Sequence, residues 1–170
     1  GSNYTSSAAS STAATSCYIP STILTADKYI AIISTNTIST CATGTYRAAG
    51  TYYYGSAVQS CSSCSNKPSA ATYTSTGGGT NACPWSLTCS AGNYFLYNAT
   101  ETSRACSACT ATNYCTGTTA TQATAANAGL SPCPTNYVNG GTSLTAQSQC
   151  KWQTTGGTYI ATANSTSSTS

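Results

Sequence analysis

The sequence predicts a small disulfide-rich fold, mostly β and irregular, drawn out as an elongated rod of short hairpin modules with little helix. Three observations carry that prediction. Eleven cysteines punctuate 170 residues. Leu, Ile, Val and Phe together number only 15, so burial at about 25 cal/mol per Å² cannot offset the ordering entropy of the whole chain. A Cys–turn–Tyr motif recurs through the middle of the sequence, as expected of stacked or strung modules.

Residues 1–16 are almost wholly Ser, Thr and Ala, a composition that predicts a disordered tail open to O-glycosylation. Residues 17–40 hold six of the seven isoleucines, around Tyr29-Ile30-Ala31-Ile32-Ile33, the strongest strand signal in the chain. This segment reads either as the core strand of an N-terminal subdomain or as a strand donated to the next subunit. In the second case Tyr29, Ile30, Ile32 and Ile33 would pair with a neighbour's sheet edge and build a head-to-tail polymer.

Residues 41–150 carry two to three degenerate cysteine-rich repeats of about 40 to 45 residues. The motif reads Cys41-Ala-Thr-Gly-Thr-Tyr46, Cys89-Ser-Ala-Gly-Asn-Tyr94 and Cys109-Thr-Ala-Thr-Asn-Tyr114, with a shortened copy, Cys133-Pro-Thr-Asn-Tyr137. Spacing repeats as well: Cys83, Cys89 and Cys106 are matched by Cys109, Cys115 and Cys133. Gly or Asn after the cysteine permits a tight turn, often at positive φ. Tyr supplies a large apolar body to lie over a disulfide while its hydroxyl stays wet. Thr and Tyr favour strands, which Gly, Asn and Pro interrupt, so short hairpins follow; one short helical turn is expected near Thr118–Ala128, where Ala is frequent. Residues 151–170 form a second Thr/Ser-rich tail, which suits a lipid (glycosylphosphatidylinositol) attachment site or a plain linker. No run of residues is long and apolar enough to span a membrane.

The inventory narrows the chemistry. There is no His and no Met, and the charged residues are Asp27, Glu101, Lys28, Lys67, Lys151, Arg47 and Arg104, for a net charge of +3. A Ser–His–Asp or Cys–His arrangement cannot be assembled from this chain. No catalytic residues, cofactor or metal site are therefore expected. Five scattered basic residues form no phosphate-binding stripe, so nucleic acid is not an expected partner. Cross-links must then hold the chain, which implies an oxidising compartment, extracellular or at the cell surface. A metal reading competes, since Cys61–Cys64 and Cys106–Cys109 are CxxC pairs like the halves of a zinc ribbon. The cysteine count is odd, so at least one thiol is free, intermolecular, or paired outside these residues.

The Cys–turn–Tyr motif with its CxxC pairs resembles the cysteine-rich modules of tumour-necrosis-factor-receptor-like and growth-factor-receptor-like proteins. The low-charge, Ser/Thr/Ala-rich version of it is more similar to the cysteine-periodic surface (immobilisation) antigens of ciliates. The resemblance covers residues 41–150. Copies depart from the pattern: Pro follows Cys only at Cys83 and Cys133, and the Cys133 copy lacks one spacer residue. The resemblance implies a secreted, glycosylated coat protein, often lipid-anchored, with no catalytic residue to carry over. By analogy it also implies the bridges Cys41–Cys61, Cys64–Cys83, Cys89–Cys106 and Cys133–Cys150, and it leaves Cys17, Cys109 and Cys115 unassigned.

Three N-x-S/T sequons occur, at Asn3, Asn98 and Asn164; Asn98, inside a repeat loop, is the best placed to carry a glycan. The expected function is structural: a secreted, glycosylated, disulfide-stapled protein that builds an extracellular coat or filament by associating with itself. The alternative is a lipid-anchored surface antigen or receptor-like ectodomain that binds a protein or a glycan. There Tyr52-Tyr53-Tyr54 and Trp85 would form an exposed aromatic patch, unless they cover disulfides.

Overall fold

The computed structural model describes residues 5–6, 17–32, 35, 37–57, 59–98, 103–141 and 143–152. Among these there is no α-helix; the regular structure is short strands and turns joined by irregular segments, with a single 3-10 turn at Gln147–Gln149. The fold is small, disulfide-rich and mostly β, and among the described residues no sheet has more than three strands. The chain divides into two units: Gly1–Lys67 with Thr72–Trp85, and Pro68–Ala71 with Ser86–Ser170.

The first unit begins with β1 (Thr5–Ser6) and β2 (Cys17–Ile19), followed by the hairpin of β3 (Lys28–Ile32) and β4 (Thr37–Thr40). After these come β5 (Thr45–Tyr46), β6 (Tyr52–Tyr53), β7 (Ser62–Ser63) and β8 (Thr72–Tyr73). Thr5–Ser6, inside the expected tail, pairs antiparallel with β2, and β6 takes the other edge of β2. The isoleucines make the core. Ile19, Leu24, Ile30 and Tyr52 are fully buried together, with Ile38 packed against them. Each such side chain contributes roughly 1.5–3 kcal/mol. Strand alternation explains the tyrosines: Tyr52 and Ile19 are opposite each other and face the core, while Tyr18 and Tyr53 are opposite each other on the outer face. The buried Tyr52 hydroxyl donates to the Ser56 carbonyl at 2.8 Å, as a buried phenol requires.

The second unit contains the rest of β9 (Trp85–Cys89), then β10 (Asn93–Asn98), β11 (Ser103–Ala108), β12 (Asn113–Cys115) and β13 (Thr118–Thr121). It closes with β14 (Leu130–Pro132), β15 (Tyr137–Asn139) and β16 (Cys150–Trp152). Its buried residues include Leu87, Tyr94, Phe95, Ala120 and three cysteines, Cys89, Cys115 and Cys150. Lys151 and Trp152, assigned to the C-terminal tail from composition, belong to β16.

The repeat is structural as well as sequential. In each copy the residue before the motif Tyr donates its N–H three residues back, closing a turn: Thr45 to Ala42 and Asn93 to Ser90 at 3.0 Å each, and Asn113 to Thr110 at 3.1 Å. The shortened copy shifts by one, with Tyr137 donating to Pro134 at 2.8 Å and Asn136 in the left-handed region at φ +67°. The motif Tyr then lies in the first two residues of a strand paired with residues within two positions of a later cysteine. Tyr46 lies opposite Ser62, Tyr94 opposite Ser107, Tyr114 opposite Ser131, and Tyr137 opposite Trp152. In the first three copies a further bond links each turn to the following cysteine. The carbonyls of Gly44, Gly92 and Thr112 accept the N–H groups of Cys64, Cys109 and Cys133 at 2.9, 3.1 and 2.9 Å. In these three copies the paired strands thus end at the cysteine that opens the next staple, and the fourth pair, β15 with β16, closes the described residues.

The helical turn expected near Thr118–Ala128 is absent. Thr118–Thr121 is instead strand β13, paired antiparallel with Ser86–Cys89. Three Thr in four residues favour the pleated surface over a helix, and Ala120 is fully buried there. The Thr124 hydroxyl accepts the Thr121 N–H at 2.7 Å and turns the chain at the strand's end.

One glycine is fixed by backbone approach. Gly117 has φ +80°, and a Cβ there would fall 2.8 Å from the Cys89 carbonyl oxygen and 2.9 Å from the Ala91 nitrogen. Gly55 has φ +84° with nothing within 4 Å of that position. Gly55→Ala is expected to cost only the left-handed penalty, about 1–2 kcal/mol, and Gly117→Ala distinctly more. Urea unfolding of both variants checks this; equal costs would show that the Cys89–Ala91 backbone yields.

Candidate functional site

The disulfides are the chemically distinctive feature. Cys41–Cys61 and Cys64–Cys83 lie in the first unit, with Cα separations of 5.8 and 6.0 Å. Cys89–Cys106, Cys109–Cys115 and Cys133–Cys150 lie in the second, at 5.3, 5.9 and 5.8 Å. Four of these join the same residues that the resemblance pairs. The fifth, Cys109–Cys115, closes a six-residue loop that the pattern left open. Its only sequence signal, the five-residue spacer, is shared by Cys83 and Cys89, which bond elsewhere. All four CxxC cysteines are consumed, Cys61 and Cys64 in separate bridges and Cys106 and Cys109 likewise, so neither pair offers thiolates to zinc. Cys17 is the odd cysteine, half-buried in β2 with a free thiol.

Sequence reasoning passed over Asp27. Its side chain is 5% exposed and its backbone sits in the left-handed region at φ +61°, which Asp tolerates better than most residues. One carboxylate oxygen accepts the N–H of Arg47 at 3.0 Å and of Gly79 at 3.2 Å, and the other accepts the N–H of Gly78 at 2.8 Å. The Asp27 N–H donates to the Arg47 carbonyl, and the Cys41 N–H donates to the Asp27 carbonyl, each at 2.8 Å. Arg47 extends the network, its guanidinium donating to the Lys28 carbonyl at 2.8 Å. Burial pushes the carboxyl's pKa up, but the Thr76 side chain and the N–H groups of Arg47, Gly79 and Gly78 pull it down and prevail, so it lies below the ordinary value. With both oxygens engaged, Asp27 ties the start of β3 to Cys41, Arg47 and the Gly77–Gly79 turn. Its role is that of a clamp.

The residues expected to form an aromatic patch separate. Tyr52 and Trp85 are buried at 1% exposure, so neither belongs to a surface patch, and Tyr52 packs with Ile19, Leu24 and Ile30. Tyr53 and Tyr54 remain exposed, and the Tyr53 ring lies 5.9 Å from that of Tyr18. The Ile-rich strand is divided in the same way. Ile30 is fully buried in its own unit and paired with Ile38, Tyr29 is half-buried, and Ile32 is 51% exposed beyond a β-bulge. Ile33, and the sequons at Asn3 and Asn164, lie outside the described residues. Asn98 ends β10, where the chain enters the 99–102 connection to β11.

Such an arrangement can resist unfolding and present strand edges; among the described residues no three His, Cys, Asp or Glu side chains gather as a metal site. No helix of the described residues is long and apolar enough to cross a membrane. No family model, curated protein or solved structure matches the chain.

Proposed function

We propose that this is a secreted, non-enzymatic structural protein that builds an extracellular coat or filament by self-association, with glycans on its surface. The observation that carries the reading is the run of Cys–turn–Tyr strand pairs, three of which end at the cysteine that opens the next staple, in a protein where ten of eleven cysteines are cross-linked. Such cross-linking belongs to oxidising compartments. One of the two side-chain carboxylates is spent on holding the fold. A glycan at Asn98 fits the hairpin end, and a lipid anchor remains compatible with the Ser/Thr-rich C-terminal residues. The exposed Tyr53 and Tyr54 favour the second reading, a surface antigen or receptor-like ectodomain binding a protein or glycan.

Negative-stain electron microscopy of the unreduced protein from its native source tests the first reading. Regular filaments or sheets are expected. Single particles at every concentration would transfer the case to the surface-antigen reading.

A further inference from the structure

All five bridges begin at Cys41 or later, so among the described residues no disulfide reaches β1 to β4. β2, the middle strand of its sheet, holds its one cysteine as a free thiol. Its pairing with β6, a strand inside the Cys41–Cys61 loop, has two rungs, Tyr18 with Tyr53 and Ile19 with Tyr52.

That pairing brings two phenols together. Elsewhere in the described strand pairs the motif tyrosines face Ser or Trp, and Tyr29 and Tyr97 face Ser39 and Arg104. Tyr18 faces another tyrosine. The Tyr54 N–H donates to the Cys17 carbonyl at 2.9 Å, which makes that rung the hydrogen-bonded one and Tyr18–Tyr53, one step on, the non-hydrogen-bonded one. Side chains lie closer together in a rung of this kind. Two side chains of equal length then hold equivalent ring carbons at the same height above the sheet. The ring centres are 5.9 Å apart with the planes inclined at 43°. Both rings lie on the outer face; Tyr18 is half-buried and Tyr53 is 53% exposed, so an oxidant in solution reaches the pair. An exposed ring also reorients in nanoseconds or less, which closes the remaining gap.

We propose that Tyr18 and Tyr53 are a site of oxidative cross-linking, joined as dityrosine within one chain. The oxidant is hydrogen peroxide, used by an extracellular peroxidase. One electron and the phenolic proton leave each tyrosine, and the two phenoxyl radicals couple through carbons ortho to the oxygens. Each coupled carbon then gives up its hydrogen, and its oxygen regains one, which restores both phenols. In sum, two tyrosines and one hydrogen peroxide give one carbon–carbon bond and two waters. The bond closes a longer loop than any of the five disulfides and ties β2 to the stapled Cys41–Cys61 segment. The inference goes beyond the coat reading and stands apart from self-association, since both rings belong to one chain.

Peroxidase and hydrogen peroxide applied to the dilute, unreduced protein test it, with peptide mapping of the product and of untreated protein from the native source. Thirteen tyrosines compete for the oxidant, so the position of the link is the readout, whatever oxygen Cys17 gains. A Tyr18–Tyr53 link that removes two hydrogens is expected in both samples. In the treated protein its yield should be roughly tenfold above any other tyrosine pair, because the rings are already held together. The linked protein should unfold at a urea midpoint higher by about 1–2 M. Tyr53→Phe keeps the ring pair but forms no phenoxyl radical; it is expected to fold normally and to lose both the link and the shift. Links spread evenly over other tyrosines, or Tyr18 and Tyr53 found unlinked in the native-source protein, would overturn the site and leave the coat reading untouched.

Discussion

Reduction of the five disulfides is expected to unfold both units without added denaturant. The apolar cluster of the first unit is four fully buried side chains and one partner, and beyond it the described buried apolar residues are Trp85 and three disulfide-bonded cysteines, too little to order the residues around them without cross-links. Each bridge closing a 17- to 20-residue loop contributes about 3 kcal/mol, largely by restricting the unfolded chain. Cys109–Cys115 closes only six residues, so its share is about 1 kcal/mol smaller. Removing Cys89–Cys106 by double alanine substitution should therefore lower the urea midpoint more than removing Cys109–Cys115. Both bridges lie in the second unit, which makes the comparison internal. Reduced protein that kept its strand circular dichroism and its tyrosine near-ultraviolet signal would show that the hairpins stand without staples.

Asp27→Ala should be the most damaging substitution outside the cysteines. It strands the N–H groups of Arg47, Gly78 and Gly79 without their acceptor, and bonds to a charged partner contribute about 1.5–3 kcal/mol each. A loss of at least about 3 kcal/mol is expected, concentrated in the first unit. Asp27→Asn tolerates the same left-handed backbone and keeps one acceptor oxygen, so it should lose roughly half as much. The same carboxylate sets an acid limit. Its pKa in the folded protein is lowered from the model-compound value of 3.8, so the folded state favours the ionised form. That stabilisation is fully present above the unfolded pKa, declines as pH drops below it, and is gone once pH has passed the folded value. Wild-type stability should fall below about pH 4, while Asp27→Asn should be much flatter there. Glu101 is the only other side-chain carboxylate, so the background is small. Parallel acid unfolding of the two proteins would sink the assignment.

The modules were legible in the sequence because their information is local. A turn closes over three or four residues after the cysteine, and Gly or Asn at the bend together with Tyr at the strand start mark it. The Thr118–Ala128 segment misled because Ala counts toward a helix, yet the three Thr pair with Ser86–Cys89, about thirty residues back along the chain. Asp27 left no local mark at all. Its acceptor oxygens serve Arg47, Gly78 and Gly79, which are 20, 51 and 52 positions along the chain. Tyr52 and Tyr53 are adjacent and chemically identical, and only their phase in a strand beside Ile19 sends one inward and the other out.

Composition and spacing alone were enough to establish a cross-linked, mostly β chain of small hairpins, since scarce aliphatic surface and frequent cysteine leave few other ways to hold 170 residues. Folding in three dimensions chose the partner of Cys109, left Cys17 as the odd thiol and buried Ile30 in its own chain. Those outcomes depend on which distant strands meet and which face each presents, and no local pattern of residues encodes that meeting.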